Sequence, residues 1–129
     1  MEIIICDSLD ESAQVAAKVV GKIVKSLKKP VLGLATGETP LRMYKKLIKM
    51  QQSGEISFKN CSTFNLDEYS DLAKENKRSY YYYMMNNFFK HIDIEPRRTY
   101  IPDGNSKKLT DSCRYYEQQI KDSGGIDLQ

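Results

Sequence analysis

At 129 residues the chain has the length of one domain, since a domain takes roughly 100–200 residues, and residues 1–129 read as a single unit with one core. Twenty Lys and Arg against seventeen Asp and Glu leave +3, in short basic doublets such as Lys28-Lys29, Lys45-Lys46 and Arg97-Arg98 rather than the concentrated stripe of a nucleic-acid binder. Apolar runs fall short of the roughly 20 residues of a membrane span, and the start "MEIIICD" does not resemble a signal peptide, having an acid where a basic n-region is expected. The dispersed Cys6, Cys61 and Cys113 form no C-x-x-C pair. A cytoplasmic protein with no nucleic-acid, membrane or metal partner is therefore expected.

Strand-like and helix-like stretches alternate. "EIIIC" (2–6) is a β-branched run and reads as a first strand. Ser8 and Glu11 have capping-box spacing. Leu9, Ala13, Ala16, Val20, Ile23 and Leu27 then recur at helical spacing, which predicts a helix over 8–29. "PVLGLA" (30–35) is continuously apolar, the pattern of a strand covered on both faces. After "TGETP" the spacing predicts a helix over 40–51, ended by Gly54. "CSTFNL" (61–66) is a third strand, followed by a polar loop and a helix over 77–90. "TYI" (99–101) is a short fourth strand, and Leu109, Cys113, Tyr116 and Ile120 mark a last helix closed by Gly124-Gly125. "IDLQ" (126–129) begins a fifth strand, inside which the sequence stops. This order predicts an α/β fold: an open parallel sheet with helices on both faces, truncated in its fifth strand.

In such sheets ligands bind where strands run into helices at their carboxyl ends. Thr36-Gly37-Glu38-Thr39-Pro40 is such a loop. Thr39 suits an N-cap and Pro40 a first helical turn, and Gly37 lets the backbone approach a ligand closely. Free N–H groups around 37–39 at a helix amino end would favour a phosphate; a well-capped turn without a ligand is the plainer alternative. Neither a Walker A loop nor a dinucleotide fingerprint is present, so a small phosphorylated metabolite fits better than a nucleotide. Glu38 must point away from any phosphate, and Arg42, one turn into the helix, is a neighbour that could draw it off.

"FNLDEY" (64–69) leaves the neighbouring predicted strand at the same edge. Asp67 there could act as a general base, with Glu68 as a second candidate; the alternative is that both only solvate the loop. In "SYYYYMMNNFF" (79–89), Tyr81, Met84, Met85, Phe88 and Phe89 share one helix face and read as core. Tyr80 lies off that face and is a candidate pocket wall. His91, the only histidine, sits at the end of that helix and reads as a carboxyl-terminal cap rather than a catalytic group.

Taken together, "LGLATGETP" (32–40), "YKKLI" (44–48), "SFKNCSTFNLDEY" (57–69), "SYYYYMMNNFFKHIDI" (79–94), "DGN" (103–105) and "GGIDL" (124–128) resemble the amino-terminal part of the glucosamine-6-phosphate deaminase (isomerase) family. The resemblance covers essentially the whole chain. It implies a Rossmann-like fold and the conversion of glucosamine 6-phosphate and water to fructose 6-phosphate and ammonia, without a cofactor. It implies that Thr36, Gly37, Glu38 and Thr39 hold the sugar phosphate, and that Asp67 is the proton acceptor working between C2 and C1 of the opened sugar. Tyr80 matches a family tyrosine near the site, and the full-length protein is expected to be a homo-oligomer.

The family's glycine-rich segment, with the histidine and acids that open the ring and assist ammonia loss, would follow "IDLQ". The 129 residues alone are therefore expected to be an incomplete and inactive unit. A 6-phosphogluconolactonase-like hydrolase and a non-catalytic sugar-phosphate-binding domain or fragment are the alternatives.

Overall fold

The computed structural model describes residues 3–129. Ser8 starts the first helix: its hydroxyl accepts the Glu11 amide at 3.1 Å, while the Glu11 carboxylate reaches back to the Asp7 amide at 2.8 Å. Together they satisfy amides near a helix start, where internal acceptors are missing. The elements are α1 (Leu9–Ser26), β1 (Val31–Leu34), α2 (Leu41–Gln52), β2 (Ser62–Asn65), α3 (Tyr80–Asn87), β3 (Thr99–Tyr100) and α4 (Leu109–Asp122). Short 3-10 turns at Phe89–His91 and Pro96–Arg98 connect α3 to β3.

The three strands form a parallel sheet in the order β1-β2-β3, with Val31 opposite Ser62, Leu34 opposite Asn65 and Phe64 opposite Tyr100. Of the predicted fifth strand "IDLQ" only a single isolated bridge forms, along the free side of β1. Leu128 bridges Leu32 in parallel, and the Gly33 amide donates to the Leu128 carbonyl at 2.8 Å. The Asp127 carboxylate accepts the Val31 amide at 2.8 Å.

Leu32 and Leu34 share one sheet face and join the core built by Ala17, Val20 and Val24 of α1, Tyr44 and Leu47 of α2, and Met84 of α3. Phe88 stacks on Tyr44 with ring centroids 4.6 Å apart and meets Phe58 edge-on at 5.5 Å. On the opposite face Phe64 stacks on Tyr100 at 4.5 Å and meets the edge of Tyr116 from α4 at 5.6 Å. The expected α/β fold with helices on both faces is what forms.

Two expectations are corrected. Residues 3–6 of the predicted first strand are not a strand, and Glu2 lies outside the described residues. Ile3, Ile4 and Ile5 are 73%, 54% and 90% exposed, and β-branched residues gain from strand geometry only on a pleated, partly buried surface. The helix predicted over 77–90 starts only at Tyr80, because Ser79 caps it by accepting the Tyr82 amide at 3.0 Å. Of its predicted apolar stripe, Met84, Phe88 and Phe89 are buried, while Tyr81 and Met85 are half-buried.

Candidate active site

Strand β1 runs into the loop 35–40, where two carbonyls are held by tyrosine hydroxyls from the helices behind. Tyr44 of α2 donates to the Ala35 carbonyl at 2.6 Å, and Tyr83 of α3 donates to the Gly37 carbonyl. Burial pushes the Tyr83 phenol above its ordinary range, in keeping with a neutral donor. The Gly37–Glu38 peptide is trans, so the Glu38 N–H points opposite to the carbonyl that Tyr83 holds. Gly37 adopts φ +104°, a left-handed conformation that side chains disfavour.

Among the described residues, none accepts from the amides of Gly37, Glu38 or Thr39, and all three residues are exposed. Thr39 does not cap α2, contrary to expectation. Pro40 occupies that position without any side-chain bond, and the Leu41 amide turns back to the Glu38 carbonyl at 3.3 Å. The uncapped helix start carries partial positive charge. The loop thus has its Ala35 and Gly37 carbonyls engaged and its amides at 37–39 free, donors that an anion could take up. A Glu38–Arg42 pair does not form among the described residues; the pairing there is between Lys46 and Asp10, 2.9 Å apart.

An open groove of about 920 Å³ passes from Thr36, Glu38 and Thr39 between the amino ends of α1 and α2. Its lining includes neither Asp67 nor Tyr80, so it does not join the two halves of the predicted site.

The ends of β1 and β2 are tied by Asn65, whose buried amide donates to the Leu34 carbonyl at 3.1 Å. The Asn65 carbonyl accepts from the Tyr116 hydroxyl at 2.7 Å. Two residues later Asp67 is exposed, and its carboxylate has no hydrogen-bond partner among the described residues. Glu68 is different. One of its oxygens accepts the amides of Tyr69 and Tyr80, the other that of Tyr81, each at 2.9 Å. A carboxylate so occupied is an acceptor in a fixed place, which does not favour the catalytic candidacy given to it above.

Tyr80 is the residue that relates the two loops. Its ring lies 4.8 Å from that of Tyr69, with the hydroxyls 3.4 Å apart. The hydrogen bond with Tyr69 is the main cause that raises the Tyr80 phenol; burial and the nearby Asp67 charge add to it, and the Thr36 hydroxyl acts in the opposite direction. Thr36, Asp67, Tyr69 and Tyr80 thus gather at the carboxyl ends of β1 and β2.

The "DGN" turn packs against the segment 69–72 that follows Glu68. Gly104 packs so closely that a Cβ there would sit 1.9 Å from the Tyr69 carbonyl oxygen. Its own carbonyl accepts the Asp71 amide at 3.1 Å, and Asn105 donates to the Leu72 carbonyl at 2.8 Å. His91 bonds the Asn86 carbonyl at 2.9 Å at the end of α3, the capping position expected of it. Among the described residues no group of three or more His, Cys, Asp or Glu could hold a metal ion, and no helix is long and apolar enough to cross a membrane.

Sequence reasoning did not single out Tyr44, Tyr83, Tyr69 or Gly104. Their partners are backbone carbonyls or rings remote in sequence, which leave no local pattern; only the abundance of tyrosine, nine residues, hinted at such work.

A profile of the glucosamine-6-phosphate isomerases/6-phosphogluconolactonase family matches residues 7–128. The glucosamine-6-phosphate deaminase of Thermoanaerobacter sp. (strain X514) is 49% identical over 129 residues, covering 100% of this chain and 51% of that protein. The Drosophila melanogaster enzyme of the same name is 45% identical, covering 99% and 49%. A solved monomeric glucosamine-6-phosphate deaminase superposes with a TM-score of 0.97 at 42% identity, covering 100% of this chain and 54% of that one. The 6-phosphogluconolactonase of Thermotoga maritima shares the fold, with a TM-score of 0.73 at 18% identity over 95% of this chain. The chain spans about half the length of the curated relatives it matches. On the match over 7–128, the chain belongs to the family of glucosamine-6-phosphate isomerases and 6-phosphogluconolactonases.

Proposed function

We propose that the chain is the amino-terminal, phosphate-binding and proton-transferring part of a glucosamine-6-phosphate deaminase. The observation that carries this reading is the meeting of two loops at the ends of neighbouring parallel strands. One offers free amides at 37–39 beside an uncapped helix, and the other offers the unengaged Asp67 carboxylate, with Tyr80 between them. The 49% identity to a protein of that activity supports the deaminase over the lactonase.

In this reading the amides of Gly37, Glu38 and Thr39 and the Thr36 hydroxyl bind the phosphate. Asp67 takes the proton from C2 of the open-chain amino sugar and returns it to C1, so that the aldehyde carbon is reduced as C2 is oxidised to the imine level. Water adds at C2 and ammonia leaves, giving fructose 6-phosphate by a hydrolytic deamination. Anchoring the phosphate converts the proton transfer to an intramolecular event. In this reading the groups for ring opening and ammonia loss belong to the half of the relatives that this chain does not match. The three free cysteines fit a cytoplasmic setting.

The test is ammonia release from glucosamine 6-phosphate, by this chain alone and mixed with the carboxyl-terminal half of the Thermoanaerobacter relative. No steady release alone, and release from the mixture that Asp67→Asn removes, is the expected result. Release that survives Asp67→Asn would overturn the role of Asp67, and steady release by the chain alone would overturn its incompleteness.

A further inference from the structure

We infer that Glu68 is a positioning residue: its carboxylate clamps the amino end of α3 to the segment after β2 and thereby sets Asp67 and Tyr80 against each other. The inference rests on the reading of those two residues as substrate-facing groups. The first amides of an α-helix have no acceptors within the helix, and its positive end favours a carboxylate. Here the acceptor comes from another loop: Glu68 takes the amides of Tyr80 and Tyr81, and Ser79 takes that of Tyr82. The first three amides of α3 are thus satisfied by two side chains. Regular helical bonding resumes with the Tyr83 amide, which donates to the Ser79 carbonyl at 3.0 Å.

The consequence for the site is leverage. Asp67 precedes Glu68 in the chain, and Tyr80 is the first residue of α3, so one carboxylate links the backbone of both. The third amide on Glu68 is that of Tyr69, whose ring and hydroxyl lie against Tyr80. Asp67, Tyr69 and Tyr80 therefore share one anchor. The side-chain length is specific: an aspartate is one methylene shorter, and a glutamine keeps one acceptor oxygen while turning an NH₂ toward amides that need an acceptor. With both oxygens committed, Glu68 acts through its neighbours and not on a substrate proton.

The experiment uses the 129-residue chain, ¹⁵N-labelled and with ¹³C-labelled tyrosine rings, as wild type, Glu68→Gln and Glu68→Ala. Amide hydrogen exchange of Tyr69, Tyr80 and Tyr81 is compared with that of Leu47 in the core of α2, and the Tyr80 ring is titrated, assigned with Tyr80→Phe. Bonds to charged acceptors being the stronger kind, Glu68→Gln is expected to speed exchange at Tyr80 and Tyr81 about tenfold with Leu47 unchanged. The Tyr80 titration is expected to move down toward the ordinary phenol range as its bond to Tyr69 loosens. The near-isosteric Glu68→Gln keeps the test open if Glu68→Ala does not fold. Unchanged exchange in Glu68→Gln would overturn the clamp. Faster exchange with an unchanged Tyr80 titration would overturn the positioning role, since it would show a cap and nothing more. Neither readout needs a substrate, so a wild-type chain that fails to bind glucosamine 6-phosphate would refute the functional reading separately.

Discussion

Tyr83, on α3, donates its hydroxyl to the carbonyl of Gly37, the residue that turns the chain from β1 toward α2. This bond holds one face of the loop inward and leaves the Glu38 amide facing out. Tyr83→Phe removes one neutral hydrogen bond, a change of roughly 0.5–1.5 kcal/mol. Affinity for glucosamine 6-phosphate is expected to fall about three- to tenfold, and the unfolding free energy by no more than that one bond contributes. Titration calorimetry on both chains checks this.

Gly104→Ala places a methyl group 1.9 Å from the Tyr69 carbonyl oxygen, and backbone cannot yield as a side chain can. Overpacking of this kind costs about 1–3 kcal/mol. The unfolding free energy in urea is expected to fall by that amount, and the resonances of residues 67–72 to shift more than those of the α1–α2 core. A stability equal to wild type would mean that the "DGN" turn does not fix the loop.

Alkaline pH is expected to destabilise the chain. Burial, with the Asp93 charge adding to it, pushes the Cys61 thiol from 9.0 up to about 12, and burial raises the Tyr44 and Tyr116 hydroxyls as well. A raised folded pKa favours the protonated form. Its stabilisation is whole below the unfolded value and is lost as pH rises through the folded one. For Cys61 that window runs from about pH 9 to 12, at no more than about 1.4 kcal/mol per pH unit. Urea unfolding between pH 8 and pH 11 should show a falling midpoint, and Cys61→Ala should flatten the early part of the fall.

Phe88 is fully buried between Tyr44 and Phe58, where it joins α3 to α2 and to the turn before β2. Phe88→Ala is expected to cost about 3–5 kcal/mol, measured as the loss in unfolding free energy. A loss below about 1 kcal/mol would mean that the aromatic cluster can collapse around the gap.

The central strands and the two site loops were legible because their signals are local. "PVLGLA" and "CSTFNL" are apolar runs, and Gly37, Pro40 and Gly54 punctuate the turns on either side of α2. The stretch "EIIIC" carries the same kind of signal and misleads, since residues 3–6 do not take up strand pairing. Propensity cannot report whether a neighbour is present. Asp67 could be proposed from its place at a strand's end, but Glu68 could not be assigned, because two of its three partners are backbone amides 12 and 13 residues away. The tyrosines of α3 look alike in sequence; only packing separates Tyr83, which holds a carbonyl, from Tyr80, which lies near Asp67.

The most direct test of the proposed half-site is a titration of the ¹⁵N-labelled chain with glucosamine 6-phosphate and, separately, with inorganic phosphate. If the loop after β1 holds the phosphate and the loop after β2 faces the sugar, phosphate alone shifts the amides of Gly37, Glu38 and Thr39. Glucosamine 6-phosphate then shifts these and also Asp67 and Tyr80, saturably and more tightly. Shifts confined elsewhere, or identical responses to the two ligands with Asp67 and Tyr80 silent, would contradict the assignment of the two loops to one substrate.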